Sequence, residues 1–222
     1  MNSLCIINGS PRKEKGTSNY LINELISLLN NNIKTKEYYI SELMKDKDSL
    51  QDVISFNKII FVSPLYADCL PSTMLNFMIY FEEFLKNKKN LNIDMYCLIN
   101  CGFLEGTQNA LAIDILKNYC KRIGFNWRFG VGIGGGEFMA SSKNMPLNCK
   151  MKMPVYNAFL DLKKDIENND SNINISEAIL VNARMPKFIF KLAGNLSWKA
   201  IAKKNNLKPK DLYKKNLLNN IT

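Results

Sequence analysis

The sequence predicts an α/β fold in which a five-stranded parallel sheet carries helices on both faces. Five short apolar runs alternate with segments of helical periodicity along the chain. Strands that form unbroken apolar runs are typical of parallel sheets, because such sheets are buried on both faces. The chain has 222 residues, of which 46% are hydrophobic. This length fits one domain of about 150 residues with an appendage.

The strands are predicted where an apolar run meets turn-forming residues. The first run ends at Asn8-Gly9-Ser10-Pro11, the third at Pro64, and the fourth at Asn100-Cys101-Gly102. In chain order, the predicted strands cover residues 4–7, 37–40, 58–63, 95–99 and 127–131. The strand order 2-1-3-4-5 then places the reversal of winding between the first and third strands.

The helices are predicted from apolar residues that recur every three or four positions. In the first helix they stand at positions 21, 22, 25, 26 and 29, with Thr17, Ser18 and Asn19 as candidate caps. The later helices are expected at 48–55, 72–85, 107–123 and 153–167. Residues 168–175, rich in Asn, are expected to connect the last of these helices to a C-terminal extension.

The positive charge is concentrated near the C-terminus. Ten basic residues and one acid lie between Arg184 and Lys215, so this arm holds +9 of the net charge of +10. We therefore predict a nearly neutral domain over 1–170 and a basic helical extension over 171–222. The arm also contains aromatic and aliphatic residues. It could dock on the body or on a dimer partner, contact an anionic membrane surface in a peripheral manner, or attract the phosphates of a nucleotide. We expect no specific nucleic-acid partner.

Composition excludes several classes of protein. The chain has no histidine, which removes the usual partner in zinc sites and in Ser-His or Cys-His catalytic pairs. Its six cysteines show no C-x-x-C spacing, so we expect neither a disulfide framework nor a metal site. The first apolar run is too short for a signal peptide, and no stretch approaches the ~18 apolar residues of a membrane span. A cytoplasmic location is the expectation.

The loop after the first strand suits an anion. It runs from Asn8 to Asn19 and combines hydroxyl side chains, two glycines and Arg12 with the start of the first helix. Free N–H groups at a helix N-terminus favour anions, and arginine pairs with phosphate. The loop is not a P-loop, because no Gly-Lys-Ser/Thr follows it. An ordinary capped turn is the alternative.

Two spaced motifs follow the first and third predicted strands. The first is Gly9-Ser10-Pro11-Arg12 followed by Gly16-Thr17-Ser18-Asn19, and the second is Ser63-Pro64-Leu65-Tyr66 followed by Leu70-Pro71. Together they resemble the NADPH-dependent FMN reductase family, which belongs to the flavodoxin-like superfamily, and Asn100-Cys101-Gly102-Phe103 is a looser third match. The resemblance covers roughly residues 3–135 and implies a flavodoxin-like three-layer sandwich. The helix after Pro71 departs from the family, with Ser72, Asn76, Tyr80 and Phe81 where a glycine, a lysine and an acidic-arginine pair are usual.

The resemblance also implies a cofactor and the residues that hold it. Ser10, Arg12, Thr17, Ser18 and Asn19 would hold the FMN phosphate. Pro64, Leu65 and Tyr66 would line the isoalloxazine, with backbone N–H groups at its polar edge, and Asn100, Cys101, Gly102 and Phe103 would close the other side. A planar, partly apolar ring fits an apolar wall with a few placed amides.

The implied function is that of an oxidoreductase. NADPH or NADH would reduce bound FMN, and electrons would pass to a quinone, a nitro or azo compound, or a flavin. Hydride transfer is the chemistry of the cofactor, so no catalytic side chain is predicted. A flavodoxin-type electron carrier without a small-molecule substrate is the alternative, and such carriers are typically shorter and acidic.

Two further patterns carry expectations. Gly130-Val131-Gly132-Ile133-Gly134-Gly135 matches G-x-G-x-x-G, yet no later strand is predicted to complete a dinucleotide-binding unit. We expect instead a loop near the flavin or the sheet edge, from which Glu137 or Phe138 reaches the site. The helix at 72–85 is more apolar than one sheet face requires, so a two-fold homodimer is expected to use it. Cys69 and Cys101, on the flavin-side loops, are expected to be incidental thiols.

Overall fold

The computed structural model describes residues 2–89, 91–168 and 178–214. The chain divides into two compact units, Met1–Arg184 and Met185–Thr222. Most of the predicted connection over 168–175 lies outside the described residues. The first unit continues past the predicted boundary at residue 170, because a strand within the predicted extension joins its sheet.

The sheet of the first unit has six parallel strands, not the five predicted. Their order is β2-β1-β3-β4-β5-β6. The strands are β1 (Ser3–Asn8), β2 (Lys34–Tyr39), β3 (Lys58–Pro64), β4 (Asp94–Asn100), β5 (Asn126–Gly134) and β6 (Ile179–Asn182). The five predicted strands keep the predicted order. The sixth is four residues long, lies at the edge and pairs with β5 from Val131 to Gly134.

Helices cover both faces, as the patterning predicted. They are α1 (Thr17–Leu28), α2 (Ile40–Leu43), α3 (Lys47–Val53), α4 (Ser72–Leu85), α5 (Ala110–Arg122), α6 (Gly136–Ser141), α7 (Met153–Glu167) and, in the second unit, α8 (Lys187–Lys204). Short 3₁₀ turns cover Lys13–Lys15, Gly106–Asn109 and Pro209–Tyr213. The core on one face includes side chains from α2 to α5. The core on the other face includes side chains from α1 and α7.

Helix α4 buries most of the apolar surface that suggested a dimer. Phe77, Met78 and Phe81 lie in the core of the chain itself, while Ile79 is 70% exposed. Leu75, Tyr80 and Phe84 pack against the same core and are partly buried. Little of the helix is therefore left to drive self-association, and the homodimer stays a prediction.

A buried ion pair joins helix α7 to the sheet at the amino ends of the strands. Arg128 donates to Asp165 through both Nη2 (2.6 Å) and Nε (3.0 Å), and Tyr96 OH donates to the same carboxylate at 2.7 Å. Lys58 Nζ donates to the backbone carbonyl of Asp165 at 3.0 Å. These contacts hold α7 against the amino ends of the strands.

Residues 130–134 of the glycine-rich motif lie inside β5, so the expectation of a loop at these residues is wrong, and Gly135 is the N-cap of α6. A β-carbon on Gly130 would come within 2.5 Å of Ile113 on α5, and one on Gly132 within 2.9 Å of the Asn109 β-carbon. The glycines therefore allow α5 and the turn before it to pack closely on the strand. A further parallel strand, β6, does follow β5 in the chain after α6 and α7, and the sequence did not predict this strand.

Candidate functional site

One cavity of about 230 Å³ lies at the carboxyl ends of four strands, where open α/β sheets bind ligands. Its walls come from the loops after β1, β3, β4 and β5. It is lined by Ser10, Arg12, Gly16, Thr17, Pro64, Leu65, Tyr66, Asn100, Cys101, Gly102 and Glu137. Four loops that are distant in the sequence thus meet around one space.

The loop after β1 is folded tightly on itself. Ser10 N donates to Asn8 Oδ1 at 3.0 Å, and Arg12 N donates to Ser10 Oγ at 3.3 Å. A β-carbon on Gly16 would come within 2.5 Å of that same hydroxyl oxygen. Because no larger residue fits there without a shift, Gly16 sets how closely the loop approaches the start of α1.

The N-terminus of α1 opens towards this loop without a side-chain cap among the described residues. Gly16 is its N-cap, and its first turn holds no acidic residue. The first N–H groups of a helix lack partners within the helix, and the helix dipole adds positive potential at this end. Thr17 lines the cavity beside them. The arrangement favours an anion.

The two neighbouring residues of α1 contact the protein rather than the cavity. Ser18 is buried, and its Oγ accepts a hydrogen bond from Asn100 Nδ2 at 2.9 Å. Asn19 Nδ2 donates to the backbone carbonyl of Glu14 at 3.4 Å, and its Oδ1 accepts from Tyr39 OH at 3.5 Å. Both residues brace the loop and neither lines the cavity.

The loop after β3 presents an apolar wall. Pro64, Leu65 and Tyr66 line the cavity, and Tyr66 is 43% exposed. The tyrosine is held by reciprocal backbone hydrogen bonds with Cys69 at 2.8 and 3.1 Å, across a turn in which Ala67 and Asp68 have φ values of 47° and 60°. Positive φ at both central positions is typical of a type I′ turn, which Gly, Asn and Asp favour, so Ala67 is the residue held in an unfavourable conformation.

Only some of the backbone N–H groups in these loops are free to contact the polar edge of a flavin ring, as the sequence predicted they would. Leu65 N donates to the Asn100 carbonyl at 2.8 Å, and Tyr66 N donates to Cys69, so these two amides are engaged within the protein. Gly102 N, by contrast, has no hydrogen-bond partner among the described residues. Any amide that addresses a ligand edge is therefore expected from the loop after β4.

The loop after β4 is tied to the loop after β5. Cys101 N donates to the Ile133 carbonyl at 3.0 Å, and Gly136 N donates to the Cys101 carbonyl at 2.8 Å. Burial raises the pKa of the Cys101 thiol, which stays protonated near neutral pH. Phe103 is 53% exposed and does not line the cavity.

Two charged side chains line the cavity, Arg12 and Glu137. Neither forms an ion pair with another described residue. Of the two residues expected to reach the site from the end of β5, Glu137 lines the cavity, whereas Phe138 packs against the core around α1 and α7. Arg12 therefore remains available for an anionic ligand.

Nine of the twelve residues implied by the resemblance line this cavity, and Ser18, Asn19 and Phe103 do not. Gly16 and Glu137 line it as well, although neither was among the twelve. Gly16 was already part of the first motif. Glu137 follows a glycine run whose placement depends on contacts far apart in the sequence. The described residues hold no cluster of three or more Cys, Asp or Glu side chains arranged for a metal ion.

No protein-family model matches the chain, and no curated protein sequence matches it. Solved structures do match. An NAD(P)H:quinone oxidoreductase from Methanothermobacter marburgensis is 12% identical with a TM-score of 0.57, over 77% of this chain and 98% of that one. An FMN-dependent NADH-azoreductase from Bacillus anthracis, in complex with FMN, is 15% identical with a TM-score of 0.51, over 76% and 100%.

A third structure, general stress protein 14 from Treponema denticola in complex with FMN, is 6% identical with a TM-score of 0.54, over 75% of this chain and 100% of that one. At identities this low, the matches show that this chain shares the fold of these proteins and no more. The chain therefore has the flavodoxin-like fold that its two motifs predicted, with a sixth strand added to the sheet.

Proposed function

We propose that the protein is an FMN-dependent NAD(P)H oxidoreductase, which passes electrons from a nicotinamide nucleotide through bound FMN to a small-molecule acceptor such as a quinone, a nitro or azo compound, or a flavin. The observation that carries the proposal is the single cavity in which nine of the twelve predicted residues meet. The structures with the same fold are quinone oxidoreductases, azoreductases and FMN complexes, which supports the same class of chemistry.

The phosphate end of the cofactor fits the loop after β1. Arg12 lacks an ion pair among the described residues, and the N-terminus of α1 lacks a side-chain cap. Ser10 and Thr17 add hydroxyl groups at the cavity wall. Together they provide charge-assisted and neutral donors for a phosphate.

The ring end fits the loops after β3 and β4. Pro64, Leu65 and Tyr66 offer an apolar and aromatic wall, and Gly102 opposes it with an unpaired amide. The hydrogen bonds from Asn100 to Ser18 and Ser63 fix the spacing between the two loops. Such a slot holds a planar ring and excludes water from one of its faces.

When bound, FMN supplies the hydride and electron chemistry. The chain orients the ring and neutralises the phosphate. Cys101, with a raised pKa, keeps its proton and contributes shape rather than a nucleophile. No side chain is assigned an acid or base role.

The test is a visible spectrum of the purified protein, followed by FMN reconstitution and anaerobic addition of NADPH or NADH. We expect a bound flavin whose absorbance near 450 nm is bleached by one of the two nucleotides. A protein that binds no flavin even with added FMN would overturn the proposal. Flavin that binds but resists both nucleotides would instead support the electron carrier.

A further inference from the structure

Helix α8 of the second unit exposes apolar side chains to solvent. Phe188 is 70% exposed and Trp198 is 63% exposed. The same holds for Ile189, Leu192, Leu196 and Ile201, and for Leu207, Leu212 and Tyr213 after the helix. Single exposed apolar residues are ordinary, but nine of them within residues 188–213 mark an interaction surface.

The same segment is strongly basic. Residues 185–214 contain eight lysines and one acid, Asp211. Asp211 forms an ion pair with Lys214 at 2.7 Å, and residues 185–210 contain no Asp or Glu. The surface therefore fits a partner that is both anionic and able to accept apolar side chains.

Apolar and basic residues are interleaved on both sides of α8. Phe188, Leu192 and Leu196 are spaced by four residues and share one side, which Lys199 and Lys203 continue. Trp198 and Ile201 lie on a different side, which Lys187 and Lys191 begin. A protein groove that buried either side would bury lysines with it, at a large desolvation cost.

A lipid interface does not impose that cost. Lysine stems extend along apolar surface while their ammonium groups reach the headgroups, and tryptophan favours the same depth. Nucleic acid would satisfy the lysines but leave the aliphatic side chains in water. None of the described helices is long and apolar enough to cross a membrane, so the contact would be peripheral.

We propose that α8 and the turn after it bind the surface of a membrane that contains anionic lipids, with Phe188, Leu192 and Trp198 entering the headgroup region and the lysines at the lipid phosphates. This goes beyond the proposed reductase activity and does not depend on it. It favours one of the roles that the sequence left open for the arm.

The test uses the fluorescence of Trp198 in the full-length chain. The chain has two tryptophans, and Trp127→Phe leaves Trp198 as the sole reporter. Vesicles of phosphatidylcholine with phosphatidylglycerol should shift its emission to the blue and protect it from iodide, whereas pure phosphatidylcholine should do neither. High salt should reverse the binding, because the attraction is screened.

The charge contribution is tested by replacing Lys191, Lys199 and Lys203 with Gln. Each lysine near an anionic surface is worth about fivefold in partitioning, so the triple variant should bind roughly 100-fold more weakly. The matched control replaces Lys121, Lys143 and Lys150, three exposed lysines of the first unit, with Gln. It removes the same net charge and should bind nearly as well as the parent.

Four results would overturn the proposal. One is the absence of binding to anionic vesicles, and the second is an equal loss in the two triple variants. The third is protection of Trp198 from iodide without vesicles, which would mean that the chain itself or a second copy covers the arm. The mass measured by sedimentation would then show which of the two covers it. Duplex DNA is the competing partner, and binding to DNA that is tighter than to vesicles at the same salt would reject the membrane.

Discussion

Replacing Arg12 with alanine should weaken FMN binding while leaving riboflavin binding unchanged. The guanidinium lies in the loop after β1, lines the cavity and has no ion pair among the described residues. It is therefore free to pair with the phosphate, which is the group that riboflavin lacks. The contrast between the two ligands isolates the phosphate contact from any general damage to the site.

The expected magnitude follows from the exposure of the arginine. A hydrogen bond to a charged group contributes about 1.5–3 kcal/mol. Arg12 is solvent-exposed, so the lower value applies, and about 1.5 kcal/mol corresponds to roughly a tenfold rise in the Kd for FMN. Arg12→Lys keeps the charge but loses the planar fork, and it should fall between the parent and the alanine variant.

The assay is a titration of flavin fluorescence at low salt. Lys15→Ala is the control, because Lys15 belongs to the same loop and is exposed but does not line the cavity. At about 10 Å in water its charge contributes roughly 0.4 kcal/mol or less, a change of about twofold at most. The reasoning fails if FMN affinity is unchanged in Arg12→Ala, or if riboflavin affinity falls equally.

Three further predictions concern stability. Asp165→Asn should lower the free energy of unfolding in urea by about 3 kcal/mol, since it leaves the partly buried Arg128 without its counter-ion, whereas the exposed Asp161→Asn on the same helix should change it by less than about 0.5 kcal/mol. Burial, and after it the charge of Asp165, raises the pKa of Tyr96 in the folded protein. The contribution of Tyr96 to the free energy of unfolding is therefore complete below pH ~10 and is lost as pH rises further. In Tyr96→Phe, stability should therefore fall less steeply above that pH, by up to about 1.4 kcal/mol per pH unit. Gly130→Ala should cost about 1–3 kcal/mol by overpacking, because its β-carbon would meet α5 at 2.5 Å, while Gly102→Ala, with open space around it, should be nearly neutral; equal losses would contradict the packing argument.

Local signals were enough to predict the longer helices of the first unit and five of the strands. The expected ranges 72–85 and 153–167 coincide with α4 and α7, because continuous periodicity and a proline near each start mark them. The helix expected at 48–55 is α3, Lys47–Val53, whereas the short helices α2 and α6 were not predicted. The side chain of Asp46 caps α3 by accepting from the amides of Asp48 and Ser49, a signal visible in the sequence.

The misses come from contacts between distant parts of the chain. Strand β6 has four residues, and its place depends on pairing with β5 rather than on its own pattern. The glycine pattern of β5 resembles that of a ligand-binding loop, and only the packing of Ile113 against Gly130 shows that it lets α5 lie close to the strand. Phe103 belongs to a predicted motif yet does not line the cavity, in a loop whose backbone hydrogen bonds run from Cys101 to Ile133 and Gly136.

The two edge strands of the sheet determine how readily another chain can pair with it. An unpaired strand offers its free N–H and C=O groups as a template for another chain, and long, flat edges lead to aggregation. One edge is β2, which begins Lys34-Thr35-Lys36-Glu37 and so carries three charged residues among its first four. The other is β6, which covers the glycine-rich end of β5 with only four residues of its own. Removing β6 would expose the edge of β5 from Val131 to Gly134, which carries no charged side chain. The small sixth strand is therefore expected to matter more for solubility than for the fold.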